Sequence, residues 1–187
     1  MCGSFCTFAK SMETLRKLAE EGYDILPIMS ETAYATDTRF GAAEDIVREV
    51  EEITGKKVIH TIKDAEPIGP KKMCDVILIN PCTGNTLAKL AAGITDTAVT
   101  MAVKSHLRVL RPVVIALSSN DALGANARNI GEMLVRKNIY FVPMIRDDEI
   151  NKPNSLTAIQ SKAAECAVEC LKKVSGEAGI VSGNSQQ

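Results

Sequence analysis

The chain alternates between two patterns of apolar residues, one with the period of an amphipathic helix and one typical of a buried strand. Residues 7–21 and 46–53 repeat apolar side chains every three or four positions, and a glycine follows each segment within two residues. Both segments therefore predict helices. Between them, residues 25–29 form a short apolar run, which predicts a buried strand that leads into a polar loop at 30–41.

The same alternation continues through the middle of the chain. Residues 76–79 and 113–117 are apolar and rich in β-branched side chains, as parallel strands covered on both faces are. Helical patterns at 87–92 and 97–110 separate these two strands. The order of strands and helices predicts an α/β fold with a doubly wound, mostly parallel sheet. The series is completed by a helix at 127–137, a short strand at 139–142 and a long helix at 155–174.

The C-terminal tail and the N-terminal start of the chain both depart from the alternation of strands and helices. We expect one domain over residues 1–174 and a disordered tail over residues 175–187, which are rich in glycine, serine and glutamine. At the other end, the Gly3-Ser4 turn lies directly before an amphipathic helix, a position that a strand normally precedes. The first strand is therefore expected to be truncated. Either roughly five or six residues precede Met1 or the fold lacks its usual central first strand.

Composition and charge exclude several classes of function. The formal net charge is −1, tryptophan is absent and aromatic residues make up only 4% of the chain, so neither a basic surface nor stacking platforms are available for nucleic acid. No run approaches the roughly 18 apolar residues of a membrane span, and no basic segment followed by an apolar run marks a signal peptide. We therefore expect a cytoplasmic protein that binds neither nucleic acid nor membranes.

Cysteine and histidine give little indication of a disulfide framework or a metal site. Four of the six cysteines lie inside apolar or helical patterns and are interpreted as reduced core residues, whereas the Cys2-x₃-Cys6 pair leaves metal binding or oxidation open. Neither His60 nor His106 lies near a cysteine or carboxylate at a spacing typical of zinc ligands, so we predict no metal site. The four cysteines interpreted as core residues are Cys74, Cys82, Cys166 and Cys170.

Three polar loops occupy the positions where doubly wound folds bind ligands, at the carboxyl ends of strands or before a helix. The loop 3–7 precedes a helix whose free N–H groups and dipole suit a phosphate; the alternative is that Ser4 or Thr7 only caps that helix. The loop 80–86 offers more polar side chains than a cap needs, together with a glycine. For the loop 118–124, an ordinary turn is the simpler interpretation.

The loop 80–86 opens a segment that resembles a known family. The chain has neither G-x-G-x-x-G nor G-x-x-x-x-G-K-[ST], which argues against NAD and ATP. Residues 81–96, PCTGNTLAKLAAGITD, instead resemble the P-A-S-A-N-T…K-(I/L)-A-x-G-x-x-D signature of flavin-containing cysteine decarboxylase-like flavoproteins. Further segments resemble the B-type subunits of bacterial dipicolinate synthases, a branch of that family, and the likeness runs from Gly3 to about Ala167. These segments are 3–7, 38–41, 65–70, 119–124 and 152–155.

The resemblance implies a flavodoxin-like or Rossmann-like fold that binds FMN and forms homo-oligomers. By position, Gly3 and Ser4 would take the phosphate, and Ser30 would contribute from the loop after the second strand. The residues of the flavin motif would be Thr83, Gly84, Asn85 and Thr86.

The resemblance also implies a reaction and a partner. Dipicolinate synthases oxidise a dihydrodipicolinate-type precursor in the mother-cell cytoplasm of sporulating bacteria, and the B-type subunit works with a dehydrogenase-like A-type subunit on which we place NAD(P). Asn120 and Asp121 lie beside the flavin motif and are candidates for contact with this small-molecule substrate. Arg39 is the best loop candidate to bind a substrate carboxylate. No residue has the pattern of an obligatory acid or base, so the catalytic residues are unknown.

Three hypotheses stay open at this point. The chain performs the redox step, or it is a non-catalytic flavin-binding accessory module, or it is a flavin-dependent decarboxylase or prenyltransferase relative. The last fits less well. The decarboxylases' catalytic histidine falls in the neighbourhood of Glu66-Pro67, and only Asn120 is kept from their substrate motif.

Overall fold

Two parallel apolar strands form the centre of the sheet in the computed structural model, which describes residues 1–174. Strand β1 (Ile77–Thr83) pairs in parallel with β2 (Val113–Ser119), and β3 (Ile139–Phe141) pairs in parallel with β2 on its other side. Residues 113–117 are completely buried. The strands expected from the three apolar runs are confirmed, while the tail expected at 175–187 lies outside the described residues.

Two short strands make the sheet mixed. β4 (Met144–Ile145) and β5 (Leu156–Ala158) pair with each other in antiparallel fashion, and β5 also pairs with the last two residues of β2. The expectation of one helix over 155–174 is wrong in its first part, which forms β5 and a 3₁₀ turn at Gln160–Lys162. β3 pairs only with the first three residues of β2 and leaves the edge at the end of β2 open, and β5 occupies that edge. Pairing with that edge overrides the local helical pattern of β5.

Helices occupy the segments whose apolar residues repeat with the helical period, so the remaining helix expectations are confirmed to within a few residues. Two short helices were not expected. They begin after Ser30 and Thr61, whose side chains accept a hydrogen bond from the backbone N–H three residues later. The helices within residues 1–174 are α1 (Phe8–Glu20), α2 (Glu31–Ala35), α3 (Ala43–Thr54), α4 (Ile62–Ala65), α5 (Gly84–Ala92), α6 (Ala98–Leu107), α7 (Ala127–Leu134) and α8 (Ala163–Val174). None of these is long and apolar enough to cross a membrane.

The alternation of side chains along β1 and β2 divides the core between the two faces of the sheet. Ile79 and Ile115 pack with α5, α6 and α7 on one face. Val114 and Ala116 pack with α8 on the other face. A third apolar cluster joins α1 and α3 around Met29. Helices thus cover both faces, and the expected doubly wound α/β fold is confirmed, with a sheet that mixes parallel and antiparallel pairs.

The sheet continues from β1 toward the N-terminal half of the chain through Met1 and Cys2. The N–H of Cys2 donates to the carbonyl of Pro81 at 3.0 Å, and the carbonyl of Met1 accepts from the N–H of Ser30 at 3.0 Å. Met1 and Cys2 therefore take the central position at which a doubly wound sheet has its first strand. A cavity of about 350 Å³, lined mostly by apolar residues, lies beside them between residues 25–29 and β1.

Residues 25–29 do not form the strand that their apolar side chains predict. Only Ile28 bridges to Ile59 in parallel, through backbone hydrogen bonds of 2.9 Å on either side of Ile28. Pro27 lacks an N–H and limits the ladder. The apolar side chains serve the core instead, since Met29 is completely buried.

Packing accounts for the histidines and for four of the cysteines. His106 is completely buried, its Nε2 lies 3.1 Å from the carbonyl of Pro112, and burial lowers its pKa to about 4. His60 stacks on Tyr34 with ring centroids 3.7 Å apart. Within residues 1–174, no three His, Cys, Asp or Glu side chains gather as a metal site requires.

All six cysteines are free, and burial raises the pKa of those interpreted as core residues, namely Cys74 (to about 11), Cys82, Cys166 and Cys170.

A pair of glycines tests this packing. A Cβ at Gly69 would overlap the backbone carbonyl of Ser105, whereas a Cβ at Gly131 in α7 would meet nothing within 4 Å. We expect Gly69→Ala to lower the free energy of unfolding by about 3 kcal/mol or more. Gly131→Ala should raise it by roughly 0.5–1 kcal/mol, because alanine favours the helix. Urea unfolding measures both, and equal effects of the two variants would contradict the tight contact between Gly69 and α6.

Candidate functional site

A large cavity opens at the carboxyl ends of β1 and β2. Its volume is about 1190 Å³, and it is lined by residues 3–7, 83–85 and 118–121, which are the three loops singled out by the sequence. Typical small-molecule sites hold roughly 300–1,000 Å³. The cavity therefore has room for a cofactor together with a small substrate.

The first loop is joined to the end of β2 by a chain of hydroxyl groups. Ser4 Oγ lies 3.3 Å from Thr7 Oγ1, which lies 3.0 Å from Ser118 Oγ. Neither Ser4 nor Thr7 caps a helix with its side chain, so capping does not explain these residues. The first turn of α1 contains no acidic residue. This helix start thus offers backbone N–H groups, a favourable dipole and hydroxyls to an anion such as a phosphate.

The second loop forms the start of α5. Thr83 Oγ1 accepts the N–H of Thr86 at 3.1 Å and donates to Thr86 Oγ1 at 3.0 Å. Asn85 is exposed and lines the cavity, and its side-chain amide has no hydrogen-bond partner among the described residues. A Cβ at Gly84 would lie 2.5 Å from Ser119 Oγ and too close for any larger residue. The loop after β1 is therefore packed tightly against the loop after β2, while its asparagine is free to bind a ligand.

The third loop presents a fixed carboxylate. Asp121 Oδ1 accepts hydrogen bonds from Ser119 Oγ at 2.7 Å and from Asn126 Nδ2 at 2.8 Å. These bonds hold the pKa of Asp121 below its ordinary value. Asn120, the neighbouring residue, is exposed in the same cavity. The third loop thus supplies a negative charge and a neutral polar group.

Four cationic side chains are among the residues that line the cavity, namely Lys10, Lys17, Arg39 and Lys152. Lys152 lies 3.4 Å from Asp147, which neutralises both charges locally. Lys10 and Arg39 have no ion-pair partner within residues 1–174, and the Arg39 guanidinium lies 4.8 Å above the ring of Phe40. Unpaired cations next to a polar cavity attract an anionic ligand.

Most residues predicted for the site come together, and two do not line the cavity. Ser30 caps α2 by accepting the N–H of Ala33 at 3.3 Å, and Thr86 is buried behind Thr83. Only Thr86 contacts a residue of the cavity wall, because its Oγ1 accepts a hydrogen bond from Thr83. The eight predicted residues that line the cavity are Gly3, Ser4, Arg39, Thr83, Gly84, Asn85, Asn120 and Asp121.

Two groups of lining residues were missed by sequence reasoning. Lys10, Thr14 and Lys17 lie on one face of α1 at helical spacing, and that polar stripe was visible in the sequence. Ser155 and residues 157–161 also line the cavity, in a segment for which the sequence predicts a long helix. Only the pairing of β5 with β2 brings this segment to the site.

Comparison with known proteins agrees with this geometry. The chain is 41% identical to the B-type subunit of dipicolinate synthase from Bacillus subtilis (strain 168) over 158 residues, which cover 84% of this chain and 79% of that protein. The crystal structure of the B-type dipicolinate synthase subunit from Bacillus halodurans C matches with a TM-score of 0.82 at 38% identity, over 91% of this chain and 87% of that chain.

A more distant solved structure has a similar fold. The FMN-dependent cysteine decarboxylase SpaF matches with a TM-score of 0.65 at 26% identity, over 90% of this chain and 93% of that chain. The Flavoprotein family matches the chain over residues 1–167, which include all three cavity loops. The chain belongs to the Flavoprotein family.

Proposed function

We propose that this chain is the FMN-binding subunit of a dipicolinate synthase and takes part in oxidising a dihydrodipicolinate-type precursor to dipicolinate. The observation that carries the proposal is the convergence of three polar loops on one cavity of about 1190 Å³. The relatives support it: the B-type subunit of a dipicolinate synthase is 41% identical, and SpaF, a structural neighbour, is FMN-dependent.

The residues at the cavity fit a flavin mononucleotide. Gly3 and Ser4 would hold the phosphate at the start of α1, where side-chain caps are absent. Thr83, Gly84 and Asn85 would line the flavin, with Thr86 bonded to Thr83 behind them, while Ser30 caps α2 outside the cavity lining. A flavin, when bound, supplies the capacity to accept two electrons from the substrate.

The cations at the cavity fit a substrate with two carboxylates. Arg39 and Lys10 are the unpaired cations of the site, and Asn120 is a neutral donor beside them. Arg39 would bind one carboxylate through its planar fork, and Lys10 would meet the other as a point charge. Asp121 would contact the ring of the substrate rather than its carboxylates.

A dehydrogenase-like A-type subunit is the proposed partner. The chain has no dinucleotide fingerprint, so NAD(P) is placed on that partner, and both act in the mother-cell cytoplasm. We also propose a homo-oligomer. Leu110, Leu134 and Val135 expose 57% or more of their surface, as residues of an interface do in the isolated subunit.

A second candidate function is a flavin-binding accessory module without chemistry of its own. Neither His60 nor His106 lines the cavity, and the first stacks on Tyr34 while the second is buried. Histidine is the most frequent acid or base in catalysis, so its absence from the lining favours this candidate over a histidine-dependent decarboxylase.

FMN binding is tested directly by visible absorption of the purified protein with and without added FMN. We expect the spectrum of bound oxidised flavin and a rise in melting temperature. Asn85→Ala should weaken FMN binding by about tenfold, since it removes one hydrogen-bonding group. A colourless protein whose melting temperature does not change with added FMN would refute the proposed FMN binding. An unchanged FMN affinity in Asn85→Ala would place the flavin elsewhere.

Substitutions at two helix-capping threonines distinguish an effect on FMN binding from an effect on stability. Thr83 and Thr97 each cap a helix, accepting a backbone N–H at 3.1 Å, but only Thr83 lines the cavity. Thr83→Ala and Thr97→Ala should each lower the free energy of unfolding by about 1 kcal/mol. Only Thr83→Ala should also weaken FMN binding in a fluorescence titration. Equal loss of affinity in both variants would mean that helix stability, rather than contact, governs binding.

The dependence on a partner is tested by reconstitution. Dipicolinate formation from freshly generated precursor is measured with this chain alone, with the A-type subunit alone and with both. We expect full activity only with both, because NAD(P) is placed on the A-type subunit and this chain has no dinucleotide fingerprint. Full activity of this chain alone would contradict the two-subunit proposal, and full activity of the partner alone would favour the accessory module.

A further inference from the structure

Asp121 is exposed, yet four hydrogen bonds fix its backbone carbonyl and its side chain. Its backbone carbonyl accepts the N–H groups of Gly124 and Asn126 at 2.9 and 3.2 Å. Its side-chain Oδ1 accepts both Ser119 Oγ and Asn126 Nδ2. Because Oδ1 takes both side-chain bonds, Oδ2 has no partner among the described residues. The second oxygen is therefore free to accept a hydrogen bond from a ligand in the cavity.

The amide of Asn126 is itself oriented by a neighbour. Asn129 Nδ2 donates to Asn126 Oδ1 at 2.9 Å, so the Nδ2 of Asn126 must point to Asp121. Asn126 is buried, exposing 8% of its surface. A buried amide whose two ends are both bonded has one orientation, and it passes that orientation on to the carboxylate.

The two donors that clamp Asp121, Ser119 Oγ and Asn126 Nδ2, also pack against the proposed flavin loop. A Cβ on Gly84 would lie 2.5 Å from Ser119 Oγ and 2.6 Å from Asn126 Nδ2. Glycine at this position lets both donors of the clamp pack against the loop 83–85. A ligand that contacts Asp121 therefore lies next to the residues proposed to hold the cofactor.

We propose that Asp121 selects for the reduced ring of the substrate by accepting a hydrogen bond from its N–H or O–H group, and that Asn126 is the positioning residue for that carboxylate. This inference rests on the proposed function. A dihydrodipicolinate in its enamine form carries a ring N–H, and a hydroxylated tetrahydro precursor carries an O–H, whereas the ring nitrogen of aromatic dipicolinate carries only a lone pair. A fixed carboxylate attracts the donor and repels the lone pair. The residue thereby favours binding of the precursor and release of the product.

Two stable ligands make the inference testable without turnover. Piperidine-2,6-dicarboxylate has two carboxylates and a protonated ring nitrogen that donates, while pyridine-2,6-dicarboxylate has the same carboxylates and an uncharged ring nitrogen that only accepts. The Kd of each is measured by calorimetry on the FMN-loaded protein. The quantity of interest is the ratio of the two constants, because general effects on folding or on carboxylate binding cancel in it.

Three variants are compared with the unaltered chain. Asp121→Asn keeps an oxygen for the clamp and replaces Oδ2 by a donor, so the preference for the piperidine ligand should fall at least tenfold. Asn126→Leu keeps the charge of Asp121 and removes one of the two donors that hold it, and the preference should fall severalfold. Glu13→Gln removes a charge from the same cavity without touching the clamp. It should lower the ratio much less than Asp121→Asn does, because it weakens only the longer-range attraction of the charged ring nitrogen.

The outcomes distinguish the inference from the proposed function. An unchanged ratio in Asp121→Asn, or an equal fall in Glu13→Gln, would overturn the role of Asp121. An unaltered ratio in Asn126→Leu would overturn the role of Asn126, and if that variant does not fold, Ser119→Ala tests the other donor of the clamp. FMN affinity is measured separately by fluorescence for every variant. If the unaltered chain does not bind FMN, the proposed function is refuted. If it binds FMN but shows no preference for either ligand, only this inference is refuted.

Discussion

The parallel pairing of β1 with β2 is the constraint on which the rest of the site depends. Their register places Thr83 opposite Ser118, so both strands end at the same edge and their loops leave the sheet side by side. The apolar residues of these strands are buried on both faces, and a slip in register would expose them. The energy of core packing thus determines the relative position of two polar loops that contribute little to stability themselves.

Contacts between the loops then refine the position that the strands determine. The hydroxyls of Thr7 and Ser118 join the helix start of α1 to the end of β2, and Gly84 brings the start of α5 against Ser119. Each contact uses a small residue, which leaves space for a ligand above it. Polar groups that are not needed for these contacts, such as the side chain of Asn85, stay free for binding.

The charges of the cavity follow from elements that are distant in sequence. Arg39 precedes α3, Lys10 lies on α1 and Asp121 follows β2. Unpaired cations and an ionised carboxylate share this cavity because they belong to different elements, and no ion pair joins them among the described residues. Such a separation of charge suits a ligand that has anionic groups at its ends and a hydrogen-bond donor in its ring.

Continuous apolar runs and polar strand ends are local signals, so the sequence by itself determined the α/β class, the strands β1, β2 and β3 and the polar loops at their ends. The sequence also indicated eight residues of the cavity lining, through these loops and through the resemblance to a known family. It did not determine β5 or the position of residues 155–161, since a free edge on β2 decides their pairing. It assigned a strand to residues 25–29, where Pro27 leaves a single bridge. The clamp on Asp121 was also invisible, because Asn126 reaches the carboxylate only once the turn and α7 have folded. Local patterns determine which elements form, and pairing across the sheet decides which side chains meet.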